Sequence, residues 1–313
     1  MSDYRNHIGI IGGGIAGLTL GCALLKQGIP AIIFEKMPEE TSHGAAISLS
    51  SNALRLLDRL EIYNDLKNQS FVHSAASIQG PQKEISSFPT PEVLTTRRQT
   101  LMSLLYSRYI NLGGEIFHHH DFASFDVAKC EVKFTNENKY TLKHLAACDG
   151  IRSSIRDTFF AANQDPKYSG YSAWRGIGKS NLQKIHFALG PDSHIVSYPI
   201  NKERDVSFVA VKKEDYQFKE SWKEEGSISD LLDDFSTYDS KIFPALEDSV
   251  TLYKWGIYIR PPLKSMIAKN ITLLGDAAHP MVPFLGQGAC MAIEDSYSFA
   301  MACKEHMANL ANA

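Results

Sequence analysis

The chain has 313 residues, 44% of them hydrophobic and 21% charged, with a formal net charge of −3. That is an ordinary soluble profile, sufficient for one large or two ordinary domains around a substantial core. No lysine/arginine cluster points to nucleic acid, no apolar run reaches the roughly 18 residues of a membrane span, and five scattered cysteines without a CxxC pair fit reduced thiols in the cytoplasm.

Taken in chain order, residues 7–11 read as a buried strand. Residues 15–27 follow as a helix, and Gly28 is its stop. Residues 31–35 form a second strand. Strand, glycine turn, helix and strand imply a parallel sheet. The small and apolar residues 8–25 have the look of a signal peptide, but their glycines and the strand behind them fit a βαβ unit better. Ser50 or Ser51 is placed to cap a helix over 53–60. Thr95 or Thr96 is placed to cap another, with Leu101, Leu104, Leu105, Tyr109 and Leu112 on its apolar side and Gly113-Gly114 at its end. Residues 115–148 read as short strands, with a hairpin in EVKFTNENKYTLKHL. From 171 to 258 strand-like segments dominate, interrupted by one helix at 228–235. Residues 271–276 return to the parallel style, and 288–304 read as a helix. The expected fold is α/β: a Rossmann-like nucleotide-binding domain with a parallel sheet, at 1–71, 95–170 and 260–313, interrupted by a mostly antiparallel β-sheet domain at 72–94 and 171–259.

Gly12-Gly13-Gly14-Ile15-Ala16-Gly17 matches GxGxxG directly after a strand and directly before a helix. Gly12 allows the tight turn, Gly14 lets the backbone approach a pyrophosphate, and Gly17 lets helix and strand pack closely. The helix N-terminus adds unpaired N–H groups and positive dipole. Glu35, at the end of the second strand, suits ribose hydroxyls. The motif alone does not separate NAD from FAD. Three further stations follow. GDAAHPMVPFLGQG, residues 275–288, puts Asp276 at a strand's C-terminal end and Gly286, Gln287 and Gly288 before a helix. ACDGIRSSIR ends another strand in Asp149-Gly150 and continues to Arg152 and Arg156. TTRRQTL brings Arg98 to a helix start, with Arg97 competing for the role.

These four stations, in this order, resemble the flavin-dependent aromatic hydroxylases, the class A flavoprotein monooxygenases. GAAISLSSNALRLL and YSGYSAWRG look like the salicylate and urate hydroxylase branch. The resemblance implies FAD as cofactor, with Gly12, Gly14, Ile15, Ala16 and Gly17 around its pyrophosphate and Glu35 and Lys36 at the adenosine ribose. It implies Ala46 and Arg98 beside the phosphates and ribityl chain, and Asp149 serving both FAD and the visiting nicotinamide cofactor. Asp276 would take the ribityl hydroxyls, and Gly286, Gln287 and Gly288 the pyrimidine side of the ring. Pro283 is implied close to the ring over the substrate cavity; His279, in the same motif, is a candidate either for catalysis or for shaping the loop.

The implied activity is hydroxylation of a small aromatic or heteroaromatic substrate with O2, through a flavin C4a-hydroperoxide, after reduction by NADH or NADPH. No second GxGxxG and no redox cysteine pair argue for a disulfide reductase. Arg175, His194 and Tyr198 are the substrate candidates, with His73 and Tyr216 nearby. Three consecutive histidines, His118 to His120, alternate faces on a strand and converge poorly on a metal ion. Cys290 stands where the family often has asparagine. Only 18 residues follow Asp295, where the family usually continues. One alternative, from that short end, is a flavin-binding protein with little turnover; another, which uses the same motifs, is an epoxidase or antibiotic-modifying monooxygenase.

Overall fold

A computed structural model describes residues 4–38, 46–80, 84–160, 165–215, 225–244 and 252–306. Tyr216 and residues 307–313 lie outside the described residues. Strand β1 (Ile8–Ile11) is apolar and buried throughout, as a central parallel strand must be. Three glycines turn the chain into α1 (Ile15–Lys26), and Gly28 at φ +74° releases it towards β2 (Ala31–Phe34). Next come β3 (Ala46–Ser50), α2 (Ser51–Arg59), α3 (Tyr63–Asn68) and the long strands β4 (Phe71–Gln79) and β5 (Glu84–Arg97), which leads straight into α4 (Arg98–Asn111). Short strands β6 (Glu115–Phe117), β7 (Phe122–Asp126), β8 (Glu131–Phe134), β9 (Lys139–Thr141) and β10 (His144–Ala147) precede α5 (Ser154–Phe159). The next stretch holds β11 (Lys167–Lys179), β12 (Ile185–Leu189), β13 (Ser193–Pro199), β14 (Asp205–Lys213), β15 (Glu225–Gly226), α6 (Ile228–Asp234) and β16 (Leu252–Ile259). The chain then forms β17 (Ile267–Ala268), β18 (Ile271–Leu273) and α7 (Gly288–Glu305).

These strands make three sheets. The first has six strands in the order β17-β18-β10-β1-β2-β6, all parallel except the edge strand β17. Its one face carries Ile8, Ile10, Ile33 and Ala146 against α1, α4 and α7. Its other face carries Ile11, Phe34, Leu145 and Leu273 against Phe125, Val132 and Phe134 of the small β7-β8-β9 sheet. The hairpin read at 131–145 is the β8-β9 pair. The third sheet has nine strands, β15-β16-β11-β14-β13-β12-β4-β5-β3, antiparallel except for the β12/β4 pair. The α/β architecture with one parallel and one mostly antiparallel sheet is therefore as expected. The nine-stranded sheet includes β3, the whole of β5 and the whole of β11.

One local expectation needs correcting. Thr95 and Thr96 do not cap α4; they continue β5, paired with Ser48 and Ile47 of β3. The ladder with β3 runs on to Arg97, which becomes the N-cap residue without a side-chain cap. Backbone pairing outweighs a single cap bond here. Thr95 spends its hydroxyl on Pro199 O, at 2.5 Å, and on His73 Nε2, at 2.7 Å.

Candidate functional site

Four neighbouring parallel strands, β18, β10, β1 and β2, end on the same edge of the six-stranded sheet. Just beyond them come Asp276, Asp149, the Gly12 turn and Glu35, in that order across the sheet. With strands about 4.8 Å apart, these groups line a ledge roughly 14 Å long. Ligands of open α/β sheets bind at this carboxyl edge.

The glycine turn is a cradle with one open side. Gly12 sits at φ +103°, and a Cβ there would lie 2.5 Å from Cys148 O. A Cβ on Gly17 would come to 1.9 Å from Gly12 O, so helix and strand touch backbone to backbone. A Cβ on Gly14 would meet nothing within 4 Å. Gly14 is the N-cap of α1, has no side-chain cap, and the first turn carries no acidic residue. The leading N–H groups of Ile15, Ala16 and Gly17 thus face that open side, as an anion site requires. Glu35 is already aimed: Oε2 accepts from Gly13 N at 2.6 Å and Oε1 from Met37 N at 2.8 Å. Asp149 carries an orphaned buried acceptor, Oδ1. Burial pushes its pKa up, opposed by Ser153, backbone N–H groups and the charge of Lys36. An uncapped helix start, an open glycine cradle and an unmet carboxylate oxygen fit a diphosphate flanked by hydroxyl-bearing groups.

The Gly275 turn is built from more distant parts. Asp295 of α7 accepts from Gly275 N at 2.9 Å and from His279 Nε2 at 2.5 Å, both on Oδ2. This carboxylate holds the His279 imidazole above its ordinary pKa. Fully buried Arg156 of α5 donates to Ala277 O at 3.2 Å and Ala278 O at 2.6 Å. Gly275, Ala277 and Ala278 are buried while Asp276 is exposed on the ledge. Protein crowded around the Asp276 carboxylate lifts its pKa even though water still reaches it; Arg98 and then His279 oppose the shift. Gly286 adopts φ +62°, tight against β3, where Ser48 Oγ lies 3.5 Å from Gly286 O. Gln287 donates to Ser50 Oγ at 3.0 Å. Ser50 is the N-cap of α2, yet it makes no cap bond there. Pro283 and Leu285 are exposed on the short helical turn before α7, whose own N-terminus has no side-chain cap.

The nine-stranded sheet turns one face towards this turn. Phe284 packs edge-on to His194, at 5.0 Å, and to Tyr171, at 5.5 Å. The antiparallel register puts Arg175, His194 and Tyr198 on that one face, since Arg175 pairs with Val209, which pairs with Val196 between His194 and Tyr198. The guanidinium of Arg175 lies 5.1 Å from the Tyr253 ring and 5.3 Å from the Trp255 ring. Burial lowers its pKa, and the charge of Arg98 adds to that. Burial likewise lowers His194 and raises Tyr198. Trp174 belongs to the opposite face, in the core with Phe208, Leu231 and Phe235. His73 is buried against Thr95. Ala46 pairs with Arg97 at the edge of the sheet, next to Arg98. His118 to His120 lie just past β6 and not on a strand; His118 Nδ1 meets Met37 O, and His120 meets His118 O and the Tyr140 hydroxyl. A cavity of about 310 Å³ lies at the other ends of β1 and β2, lined by His7, Pro30 and Glu115, and takes no part in this arrangement.

Sequence reasoning missed the two serines of β3 and the clamping roles of Arg156 and Asp295. The SLSS run and the Glu294-Asp295 pair were visible, but their partners lie far away along the chain.

A family model described as FAD binding domain matches residues 5–311. The 3-amino-4-hydroxybenzoate 2-monooxygenase PtnB3 of Streptomyces platensis is 28% identical over 321 residues, covering 96% of this chain and 80% of the relative. The salicylate hydroxylase of Pseudomonas putida is 26% identical over 342 residues, covering 94% of this chain and 75% of the relative. Among solved structures, HpxO of Klebsiella pneumoniae complexed with FAD and uric acid superposes with a TM-score of 0.84 at 19% identity, covering 96% of this chain and 80% of that one. This last likeness is one of fold. With a family match over nearly the whole length and a ledge suited to its ligand, the chain belongs to the FAD binding domain family.

Proposed function

We propose that this protein is an FAD-dependent monooxygenase that takes electrons from NADH or NADPH and hydroxylates a small aromatic or heteroaromatic substrate with O2. The observation that carries the reading is the convergence of two surfaces. Four adjacent strand ends line up the glycine cradle, Glu35, Asp149 and Asp276, and the sheet face with Arg175, His194 and Tyr198 faces the turn that follows. The relatives named above are a benzoate monooxygenase and a salicylate hydroxylase, which supports an aromatic acid as substrate.

In this reading Gly12, Gly14, Ile15, Ala16 and Gly17 hold the FAD pyrophosphate. Glu35 and Lys36 take the adenosine ribose, and Asp276 the ribityl hydroxyls. Ala46 and Arg98 lie beside the chain between them, and Asp149 offers its unmet oxygen to a hydroxyl. Pro283 and the Gly286, Gln287 and Gly288 backbone border the ring. When bound, the flavin supplies hydride acceptance and oxygen activation. The protein's own work is positional and electrostatic. The α7 N-terminus and Arg98 favour negative charge on the ring side. Arg175, kept partly dry by Tyr253 and Trp255, pairs with a substrate carboxylate. His194 or Tyr198 holds a phenolic oxygen by hydrogen bond. Residues 1–71, 95–170 and 260–313 act as the FAD-binding domain, and 72–94 and 171–259 as the substrate domain. The cytoplasm, where the free thiols stay reduced, is the compartment implied.

The test is NADH and NADPH oxidation across a panel of aromatic acids with isotopically labelled O2, the product identified by mass. One labelled oxygen atom in the product is expected. Reduction of O2 to hydrogen peroxide with every substrate would refute the reading, as would a purified protein without flavin absorbance that cannot take FAD up.

A further inference from the structure

The turn from Gly275 to His279 is gripped from two sides by charged groups of other elements. From α7, a single oxygen of Asp295 accepts at both ends of the turn, from the Gly275 N–H and from the His279 ring. From α5, Arg156 donates to the carbonyls of Ala277 and Ala278. Within the turn, Ala278 N and His279 N both bond to Gly275 O at 2.9 Å. Every backbone group of the turn named here is thus committed inward, while the Asp276 side chain stands out on the ledge.

We infer that the His279–Asp295 pair is a positioning device that sets the Gly275 turn so that Asp276 faces the ribityl hydroxyls before the flavin arrives. His279 is then a positioning residue for FAD binding, and proton transfer to substrate is left to other groups. The inference rests on the flavin reading above and deepens it.

Geometry carries the argument. A Gly275 at φ +59° is free to vary unless something fixes it, and the shared Asp295 oxygen does so. A Cβ at Gly275 would lie 3.2 Å from Ala292 and 3.3 Å from Ala16, so the turn is also pressed between α7 and α1. The imidazole donates to Asp295, and its charge also reaches Asp276. The charged and titratable groups around it are Asp295 on α7, Asp276 in the turn, Arg98 on α4 acting through Asp276, Arg156 on α5, and the Cys148 thiol, which feels Asp295. Two carboxylates on either side favour the protonated ring. Since the folded protein holds the His279 pKa above its ordinary value, the ion pair is fully present below that value. It is lost as pH rises through the raised pKa.

The experiment is titration of the flavin-free protein with FAD, followed by flavin fluorescence, between about pH 6 and 9. Wild type is expected to bind about tenfold more weakly on the alkaline side of a one-proton step, the worth of a charged hydrogen bond. His279→Gln and Asp295→Asn are expected to show the weaker affinity at every pH without that step. The double variant is expected to lose no more than either single one. Thermal melts of the flavin-free proteins check folding. Titration of the flavin itself would persist in all variants, so it cannot imitate the loss of the step. A wild-type protein that binds FAD with a flat profile overturns the inference and leaves the flavin reading intact, as does an unaltered profile in His279→Gln. Failure of wild type to bind FAD at any pH overturns the flavin reading itself.

Discussion

Two glycines three residues apart separate folding from binding, and Gly14→Ala set against Gly17→Ala exploits the difference. At Gly14 the backbone is extended, φ −77° and ψ −169°, which any residue adopts. An added methyl meets no protein atom within 4 Å. The flavin-free protein should therefore keep its stability within about 1 kcal/mol, since the backbone is compatible with alanine. The same methyl occupies the space through which the pyrophosphate would reach the helix N–H groups. An overpacked methyl costs about 1–3 kcal/mol, a loss of roughly five- to more than a hundredfold in FAD affinity. At Gly17 the methyl lands 1.9 Å from the Gly12 carbonyl oxygen, a backbone atom that cannot swing away. The expected cost is at the top of the overpacking range or beyond, lowering the melting temperature by roughly 5 °C or more if the protein folds at all. Circular-dichroism melts without flavin and fluorescence titration with FAD read the two effects. A Gly14→Ala protein that binds FAD like wild type would mean that no phosphate passes there. A Gly17→Ala protein that melts like wild type would mean that α1 is not pressed on the turn.

Four more outcomes follow from the same geometry. His144 is buried with only Nε2 bonded, to Thr272 Oγ1 at 2.9 Å, and burial takes its pKa from 6.5 to about 4; the folded state refuses a proton that the unfolded chain accepts, so on the order of 3 kcal/mol is present above pH 6.5 and lost as pH falls towards 4. His144→Gln should flatten the urea midpoint over that range, and curves parallel to wild type would refute the assignment. Asp234 accepts from Trp174 Nε1, Lys212 Nζ and Lys254 Nζ at 2.7–2.9 Å, so Asp234→Ala should cost about 1–3 kcal/mol in urea unfolding by stranding half-buried donors; an unchanged midpoint counts against the network. Arg175→Gln should raise KM for aromatic carboxylates by at least about tenfold while FAD affinity holds, and an unchanged KM removes Arg175 from the substrate site. Asp149→Asn, which removes a buried charge with an unmet oxygen, should stabilise the flavin-free protein yet weaken FAD binding; a loss of both would mean the carboxylate serves the fold.

What could be read in advance was whatever short-range pattern encodes. The glycine motif, the apolar runs of β1, β2 and β18, and the acids just past their ends are local, and the structure puts them side by side on one edge. The clamps were illegible because nothing local encodes them. Ser48 meets Gly286, Arg156 meets Ala278, and Asn52 donates to Glu294 at 2.9 Å, each across more than a hundred residues. The Thr95 misassignment has the same root. As a lone residue before a helix it suits a cap, and only the unforeseen pairing with β3 makes it a strand. The shared face of Arg175, His194 and Tyr198 depends on parity across β11, β14 and β13, and that parity is set by a register no single strand contains.

The same non-local construction explains why acids sit so uneasily on the ledge. Asp149 and Asp276 follow adjacent parallel strands, β10 and β18, that come from opposite sides of the long antiparallel insertion. Both carboxylates have their pKa raised by burial, and one keeps an acceptor without a partner. A chain selected for stability alone would not leave Asp149 Oδ1 buried without a partner. Arg156 and Asp295 brace the Gly275 turn beside these carboxylates, and a hydroxyl-bearing ligand would donate to the unmet Oδ1 of Asp149. Binding then stabilises the fold by mass action, about 2.7 kcal/mol at a hundredfold excess over Kd. It does so where the two distant chain segments lie side by side, on the adjacent strands β10 and β18.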